Sequence, residues 1–196
     1  MSDKKIFIDV ETTGLDTSRC GMFQVAGIVD INGETKEEFD FQCGLFQDDL
    51  VEEKSFEKTG LSIKEISQFP NPTGIFKTFI NTLSKYIDRY DKNDKFIALA
   101  YFADFDNQVL RSWFKKNKDD FFGSWFHHPF LDIAQLVAFV YQQDRNLFPN
   151  FKLQTVAYMM GITESDNPKE FHDALYDVRI TREIYYKVNS MLIGEN

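Results

Sequence analysis

Lys5-Ile6-Phe7-Ile8-Asp9-Val10-Glu11-Thr12-Thr13-Gly14-Leu15 closes a short apolar run with an aspartate and a glutamate one residue apart. Ile6, Phe7, Ile8 and Val10 read as a buried β-strand, and Thr12-Thr13-Gly14 as the turn that ends it. Residues i and i+2 of a strand face the same side, so Asp9 and Glu11 project together. Two carboxylates side by side at the end of a buried strand repel each other and lose hydration, a cost that needs compensation. A divalent cation is the usual compensation, because hard Mg2+ or Mn2+ prefers oxygen ligands. For an Asp-x-Glu alone, two solvated carboxylates at a strand edge would be the simpler account. The rest of the chain decides against it.

Outward from this strand, Met22–Ile31 and Thr35–Phe41, with Asn32-Gly33 between them, read as a hairpin. Residues 55–69 form a connector with short helical turns that ends at Pro70-Asn71-Pro72. Ile75, Phe76, Phe79, Ile80, Leu83, Tyr86, Ile87 and Tyr90 then recur with a helical period and predict an amphipathic helix. A strand follows at Phe96–Tyr101. The next helix carries Val109, Leu110, Trp113 and Phe114 to about Lys116, and Asp104 is expected to cap its start. A further strand is expected near Phe130–Ile133, with helices around Ala134–Gln142 and Leu153–Met160. The last helix covers roughly Asp173–Leu192, where Val178, Ile184, Tyr185, Val188, Met191 and Leu192 recur at three- and four-residue steps. Three strands followed by alternating helices and strands argue an α/β fold with a mixed sheet.

The 196 residues suit one domain, residues 1–196, with a sizeable core, and 43% apolar content with 21 Phe supports a folded globule. No internal repeat, low-complexity tract or Gly/Ser-rich linker interrupts it. No run of eighteen apolar residues occurs, so no membrane span is expected. The opening Met-Ser-Asp-Lys-Lys leads straight into the first strand, which leaves no room for a signal peptide. Cys20 and Cys43 make no disulfide framework and read as ordinary core or loop thiols, so a cytoplasmic location is expected. The net charge of −9 speaks against tracking long duplexes by electrostatics, since such proteins are normally basic. A protein that grips only a short stretch of a polymer escapes that objection, although its grip should be weak and its processivity low without a partner.

Two further blocks share the acidic character of the first. Phe96-Ile97-Ala98-Leu99-Ala100-Tyr101-Phe102-Ala103-Asp104-Phe105-Asp106 is a strand feeding an acidic helix start. Phe171-His172-Asp173-Ala174-Leu175-Tyr176-Asp177-Val178 opens the last helix. In this order the three blocks resemble the motifs of the DEDDh group of 3′→5′ exonucleases, which includes the proofreading epsilon subunit of bacterial DNA polymerase III and ribonuclease T. Asp9-x-Glu11-Thr-Thr-Gly-Leu15 matches the first motif closely, and His172-x-Ala174-x-x-Asp177 the third. Leu131-Asp132-Ile133-Ala134 resembles the group's Leu-Asp-Thr-Leu strand end. Lys152-Leu153 through Gly161-Ile162 resembles its Lys-Leu…Leu-Gly-Ile helix. The middle motif departs from the pattern, because Tyr101-Phe102 stands where many members have His-Asn, while the Phe105-Asp106 pair is kept.

The resemblance implies a ribonuclease H-like, three-layer α/β fold, with a mixed five-stranded sheet flanked by helices and the first strand central. It implies that Asp9, Glu11, Asp106 and Asp177 hold two divalent cations, Mg2+ or Mn2+, and that His172 activates water. Two such ions clamp the scissile phosphate, lower the pKa of bound water and neutralise the leaving oxygen. His172 stands five positions before Asp177. Five residues of one helix rotate by about 140°, so both reach one site only if His172 precedes the helix or lies in its frayed first turn. Asp177 then falls early in the helix, where the macrodipole favours a carboxylate. Thr12, Thr13 and Leu15 inherit substrate-binding roles at the terminal nucleotides. Phe102 is expected to stack on a nucleobase or to close the core, with equal weight. The aromatic cluster Phe121, Phe122, Trp125, Phe126 and Phe130 reads as core, and His127 and His128 as surface or packing residues. Gln135–Phe139 faintly resembles a sliding-clamp peptide but lies within an amphipathic helix and is set aside.

The expected activity is hydrolysis from the 3′ end of single-stranded DNA, of proofreading or repair type, releasing nucleoside 5′-monophosphates. A polymerase or another replication or repair protein is the expected partner. Two alternatives stay open, an exoribonuclease that trims RNA ends and a non-catalytic nucleic-acid-binding relative. No P-loop, nucleophile elbow or zinc spacing occurs.

Overall fold

The run around Asp9 forms strand β1, Lys4–Thr12, in a computed structural model that describes residues 3–52, 60–164 and 173–194. It lies in the middle of a five-stranded sheet. The other strands are β2 (Met22–Ile31), β3 (Glu34–Gln42), β4 (Ile97–Ala100) and β5 (Leu131–Asp132), in the spatial order β3-β2-β1-β4-β5. β1 is buried on both faces, as a central strand must be: Ile6, Ile8 and Val10 enter one core and Phe7 the other. β2 and β3 add antiparallel through a two-residue turn in which Asn32 and Gly33 have φ of 55° and 86°. Positive φ at both central positions matches the twist of a hairpin, and Asn-Gly adopts it at little cost. β4 runs parallel to β1, with Ile6 opposite Ala98, and β5 runs parallel to β4, with Leu99 opposite Leu131. The C-terminal ends of β1, β4 and β5 therefore share one edge of the molecule.

Helices cover both faces. On one side α2 (Pro72–Ser84) and α3 (Ala103–Lys116) pack Phe76, Phe79, Trp113 and Phe114 against Ile6, Ile8 and Val10. Phe76 meets Trp113 and Phe114 edge-on, with ring centroids 5.0 and 4.9 Å apart. On the other side α4 (Ile133–Val140), α5 (Leu153–Met159) and α6 (Ala174–Ile193) cover Phe7, Ala26, Ile28 and Leu99. The result is the three-layer α/β architecture expected. α1 (Ile63–Ile66) is a single turn closed by a Ser62–Glu65 capping box, which accounts for part of the connector; residues 53–59 lie outside the described residues. Cys20 and Cys43 are buried free thiols, and burial pushes the Cys43 thiol up to about 12. No described helix is long and apolar enough to cross a membrane.

Several expectations need correction. α2 ends at Ser84, so Tyr86, Ile87 and Tyr90 lie beyond it. There Asp88 accepts a hydrogen bond from the Tyr90 amide at 3.0 Å, an alternative to the helix that such a side chain offers its own backbone. Ile87 still reaches the core, whereas Tyr90 is 87% exposed. β5 is shorter than predicted because the Asp132 side chain accepts from the Gln135 amide and starts α4 at once. Asp104 does not cap α3: the capping position is Phe102, and Asp104 sits in the first turn, accepting from Gln108 at 2.7 Å. Within the aromatic cluster Phe122, Trp125, Phe126 and Phe130 are core, while Phe121 is exposed. His127 and His128 are exposed.

Candidate active site

Asp9 and Glu11 alternate with Val10 near the end of β1 and lie on the face that carries Phe7, towards α6. Both are half-buried. Asp106 arrives from the first turn of α3. It is only 3% exposed, and its Oδ1 accepts the Val10 amide at 3.2 Å, which ties the helix start to the strand end. Asp177 comes from the first turn of α6 and is 9% exposed. Asp106 and Asp177 thus stand where the unpaired N–H groups and dipole of a helix start favour negative charge. Asp173 caps α6 by accepting the Tyr176 amide at 2.9 Å.

The electrostatics show that these side chains form one group. Burial, and then the charges of Asp106, Glu11, Asp177 and Asp173, hold the Asp9 carboxyl well above the usual carboxylate range. Burial also raises Asp106, outweighing the hydrogen bonds from its own amide and that of Val10, with Glu11 and Asp132 adding to the rise. The charges acting most strongly on both aspartates are other carboxylates. Three segments far apart in sequence therefore bring carboxylates close enough to raise one another. The donor set fits a hard divalent cation. Among the described residues, no group of three His, Cys, Asp or Glu side chains is arranged to hold a metal ion as it stands. The fit lies in donor chemistry and charge.

The turn after β1 divides its residues between scaffold and surface. Thr13 is fully buried. Its hydroxyl donates to Leu50 O at 2.5 Å and accepts the Gly21 amide at 2.8 Å, so it fixes the turn from inside. Thr12 donates to Gly14 O at 2.8 Å. Leu15 stands out from the turn at 79% exposure. Phe102, just before α3, has φ 60° and ψ 50° and is 52% exposed, so it is a surface ring beside the site and not a core residue. Left-handed backbone at a bulky side chain is strained and has to be imposed by its surroundings. Tyr101 holds the preceding position, its hydroxyl donating to Phe151 O at 2.8 Å. His172 lies outside the described residues.

Asp132 and Asp173 are additions that the sequence reading did not place at the site. Asp132 was legible only as a strand end, and Asp173 only as a neighbour of His172.

The sequence model of the RNase_T exonuclease family matches residues 6–185. The chain belongs to this exonuclease family. No curated protein matches the sequence. Among solved structures, E. coli exonuclease I in complex with a dT13 oligonucleotide superimposes with a TM-score of 0.76 at 18% identity, over 98% of this chain and 42% of that one. The zinc ion-bound form of an E. coli ExoI–ssDNA complex gives 0.73 at 18%, over 100% and 42%. An ExoI/SSB-Ct complex gives 0.76 at 18%, over 99% and 42%. The likeness shows a shared α/β fold of ribonuclease H-like type. The chain spans 42% of the length of these structural relatives.

Proposed function

We propose that this family member is a divalent-metal-dependent 3′→5′ exonuclease that releases nucleoside 5′-monophosphates from single-stranded DNA, with residues 1–196 acting as one exonuclease domain. The observation that carries the proposal is the convergence of the mutually repelling carboxylates of Asp9, Glu11, Asp106 and Asp177, the first two half-buried and the last two buried, at the end of the central strand. The oligonucleotide and ssDNA complexes of the exonuclease I relatives support DNA as the polymer, and the zinc-bound one supports a divalent metal.

Asp9, Glu11, Asp106 and Asp177 would hold two divalent cations, Mg2+ or Mn2+, which supply Lewis-acid activation of water and charge neutralisation at the phosphate. The chain's own residues do the rest. The first turns of α3 and α6 hold two of the carboxylates in place, and the Val10 amide fixes the Asp106 oxygen it binds. The Thr12–Leu15 turn receives the terminal nucleotides, with Thr13 as its internal fastener and Leu15 presented to the bases. Phe102 offers a stacking surface, a contribution of ~1–3 kcal/mol per base where aromatics do this. His172 takes the proton of the attacking water. The two buried thiols suit a reducing, cytoplasmic setting. A replication or repair partner would supply the grip that a net charge of −9 denies, and the ExoI/SSB-Ct relative is in keeping with such a partner.

The test is digestion of 5′-labelled and 3′-labelled single strands of DNA and RNA with Mg2+ or Mn2+. Shortening from the 3′ end, 5′-monophosphate products and a block by a terminal 3′-phosphate are expected. Internal cuts in a circular single strand would overturn the assignment. His172→Ala should bind Mn2+ normally but lose ~10²–10⁴ in rate, together with the acidic limb of the pH–rate profile. A near-normal rate would remove His172 from the mechanism.

A further inference from the structure

Beside the carboxylates, on the β5 side, a cleft of about 630 Å³ opens between the start of α3 and helix α4. Ala103 and Asp104, which line it, separate Phe102 from Phe105-Asp106 in the chain, and the charge of Asp132 is felt at Asp106. The walls are of two kinds. Leu136 and Phe139 contribute apolar surface, and Phe139 is 59% exposed. Asp104 and Asp132 contribute carboxylates, and Asn107, Gln135 and His128 add polar groups.

The chemistry of this lining narrows the occupant. Among the described residues, the cleft is lined by two carboxylates, by the polar side chains of Asn107, Gln135 and His128, and by no lysine or arginine, so the lining favours a neutral, hydrogen-bonding group over a phosphate. A planar ring suits the Leu136–Phe139 side. Asp104 accepts one hydrogen bond from Gln108, and Asp132 accepts from Gln135. Each carboxylate has lone pairs to spare for a further donor. A nucleobase with an exocyclic amino group meets both demands, because its face is apolar and its edge donates. Cytosine offers N4–H2 and adenine N6–H2, whereas thymine presents the O4 acceptor and a methyl group, and O4 would face a carboxylate.

We propose that this cleft receives a nucleobase of the substrate strand and selects bases that carry an exocyclic amino group over thymine. The inference rests on the exonuclease reading for its substrate, and the cleft sets which 3′ sequences are held.

Two readouts separate the inference from that reading. The first is the initial rate on 5′-labelled single strands that differ only in a run of dC or dT at the 3′ end. The dC strand should be favoured by about tenfold at sub-saturating concentration, the usual scale for one well-placed base contact. The ratio should fall towards unity in Asp104→Asn, which keeps the shape but replaces the pure acceptor with an amide, and in Leu136→Trp, which fills the cleft. The second readout needs no catalysis: saturation-transfer NMR with 2′-deoxycytidine and with thymidine. Contact with deoxycytidine alone, lost in Leu136→Trp, is expected. A selective NMR signal without hydrolysis of any strand would keep the cleft assignment and sink the exonuclease reading. Hydrolysis with equal rates for dC and dT, or equal saturation transfer to both nucleosides, would overturn the cleft assignment and leave the activity standing. Circular dichroism of both variants guards against unfolding, and Asp104→Asn retains the test if Leu136→Trp does not fold.

Discussion

Asp30 lies opposite Lys5 at one end of β1, and Asp106 beside Val10 at the other. Both aspartates are buried, and the fold treats them in opposite ways. Asp30 receives Arg182 through Nε at 2.9 Å and Nη2 at 2.7 Å, the Tyr186 hydroxyl at 2.8 Å and the Gly33 amide at 2.9 Å. Asp106 receives backbone amides, and its charged neighbours Glu11 and Asp132 repel it. The same chain can thus bring an arginine to a buried carboxylate where the need is structural. At the C-terminal end of β1 the charges that act on Asp9 and Asp106 are other carboxylates, an arrangement that costs stability, as functional sites commonly do, and that suits the proposed cation.

The comparison breaks most visibly in the carboxylate cluster. Asp9→Asn should reduce hydrolysis by at least the ~10²–10³ that losing one preorganised electrostatic contact costs in other enzymes. The same variant should unfold at a higher temperature than wild type in EDTA, because it removes repulsion. Steady-state kinetics and thermal melts check both halves, and a lower melting temperature in EDTA would mean that the cluster is structural. At the other end the sign reverses. Arg182→Leu leaves Asp30 buried without its cation and should cost roughly 3 kcal/mol in urea denaturation. Little change there would remove the contrast.

The pH dependence sharpens it further. Asp9 and Asp106 have carboxyl pKa values raised in the folded state, so the folded chain binds protons that the unfolded chain does not. Metal-free stability should therefore increase as the pH falls from neutral towards the ordinary carboxylate range, and decrease as the pH rises through the raised values. Carboxylates lowered by partners, such as Glu38 beside Arg179, withdraw their contribution only at lower pH. Melting temperatures in EDTA should show the rise on mild acidification, and saturating Mg2+ should abolish it.

The smallest effect is expected at Phe102. Phe102→Gly relieves a left-handed backbone that costs roughly 1–2 kcal/mol at a bulky residue, and Gly returns about 0.5–1 kcal/mol of that as entropy. Stability should stay level or rise slightly while KM for single strands rises by about tenfold through lost stacking. A clear loss of stability with unchanged KM would make Phe102 a packing residue.

Those parts of the fold governed by local chemistry were legible in the sequence. The alternation around Asp9 set which carboxylates share a face, Asn32-Gly33 set the hairpin, and the His172–Asp177 spacing placed Asp177 in the first turn of the last helix. What escaped depends on contacts that sequence periodicity does not carry. Asp30 and Arg182 are 152 positions apart. α2 ends at Ser84, although the apolar pattern runs past it. The strained backbone of Phe102 and the inward turn of the Thr13 hydroxyl follow from the surrounding packing. Asp132 and Asp173 act on the site while serving as helix caps, and as caps they look ordinary in sequence.

Calorimetric titration of Mn2+ into wild-type protein and Asp9→Asn, at mildly acidic pH and in two buffers of different ionisation enthalpy, tests the central claim most directly. The account predicts saturable binding to wild type with net release of protons, because the cation displaces those held by the raised carboxyls, and binding that is lost or much weakened in Asp9→Asn. Equal binding by the two proteins, or no saturable binding to wild type, would contradict it.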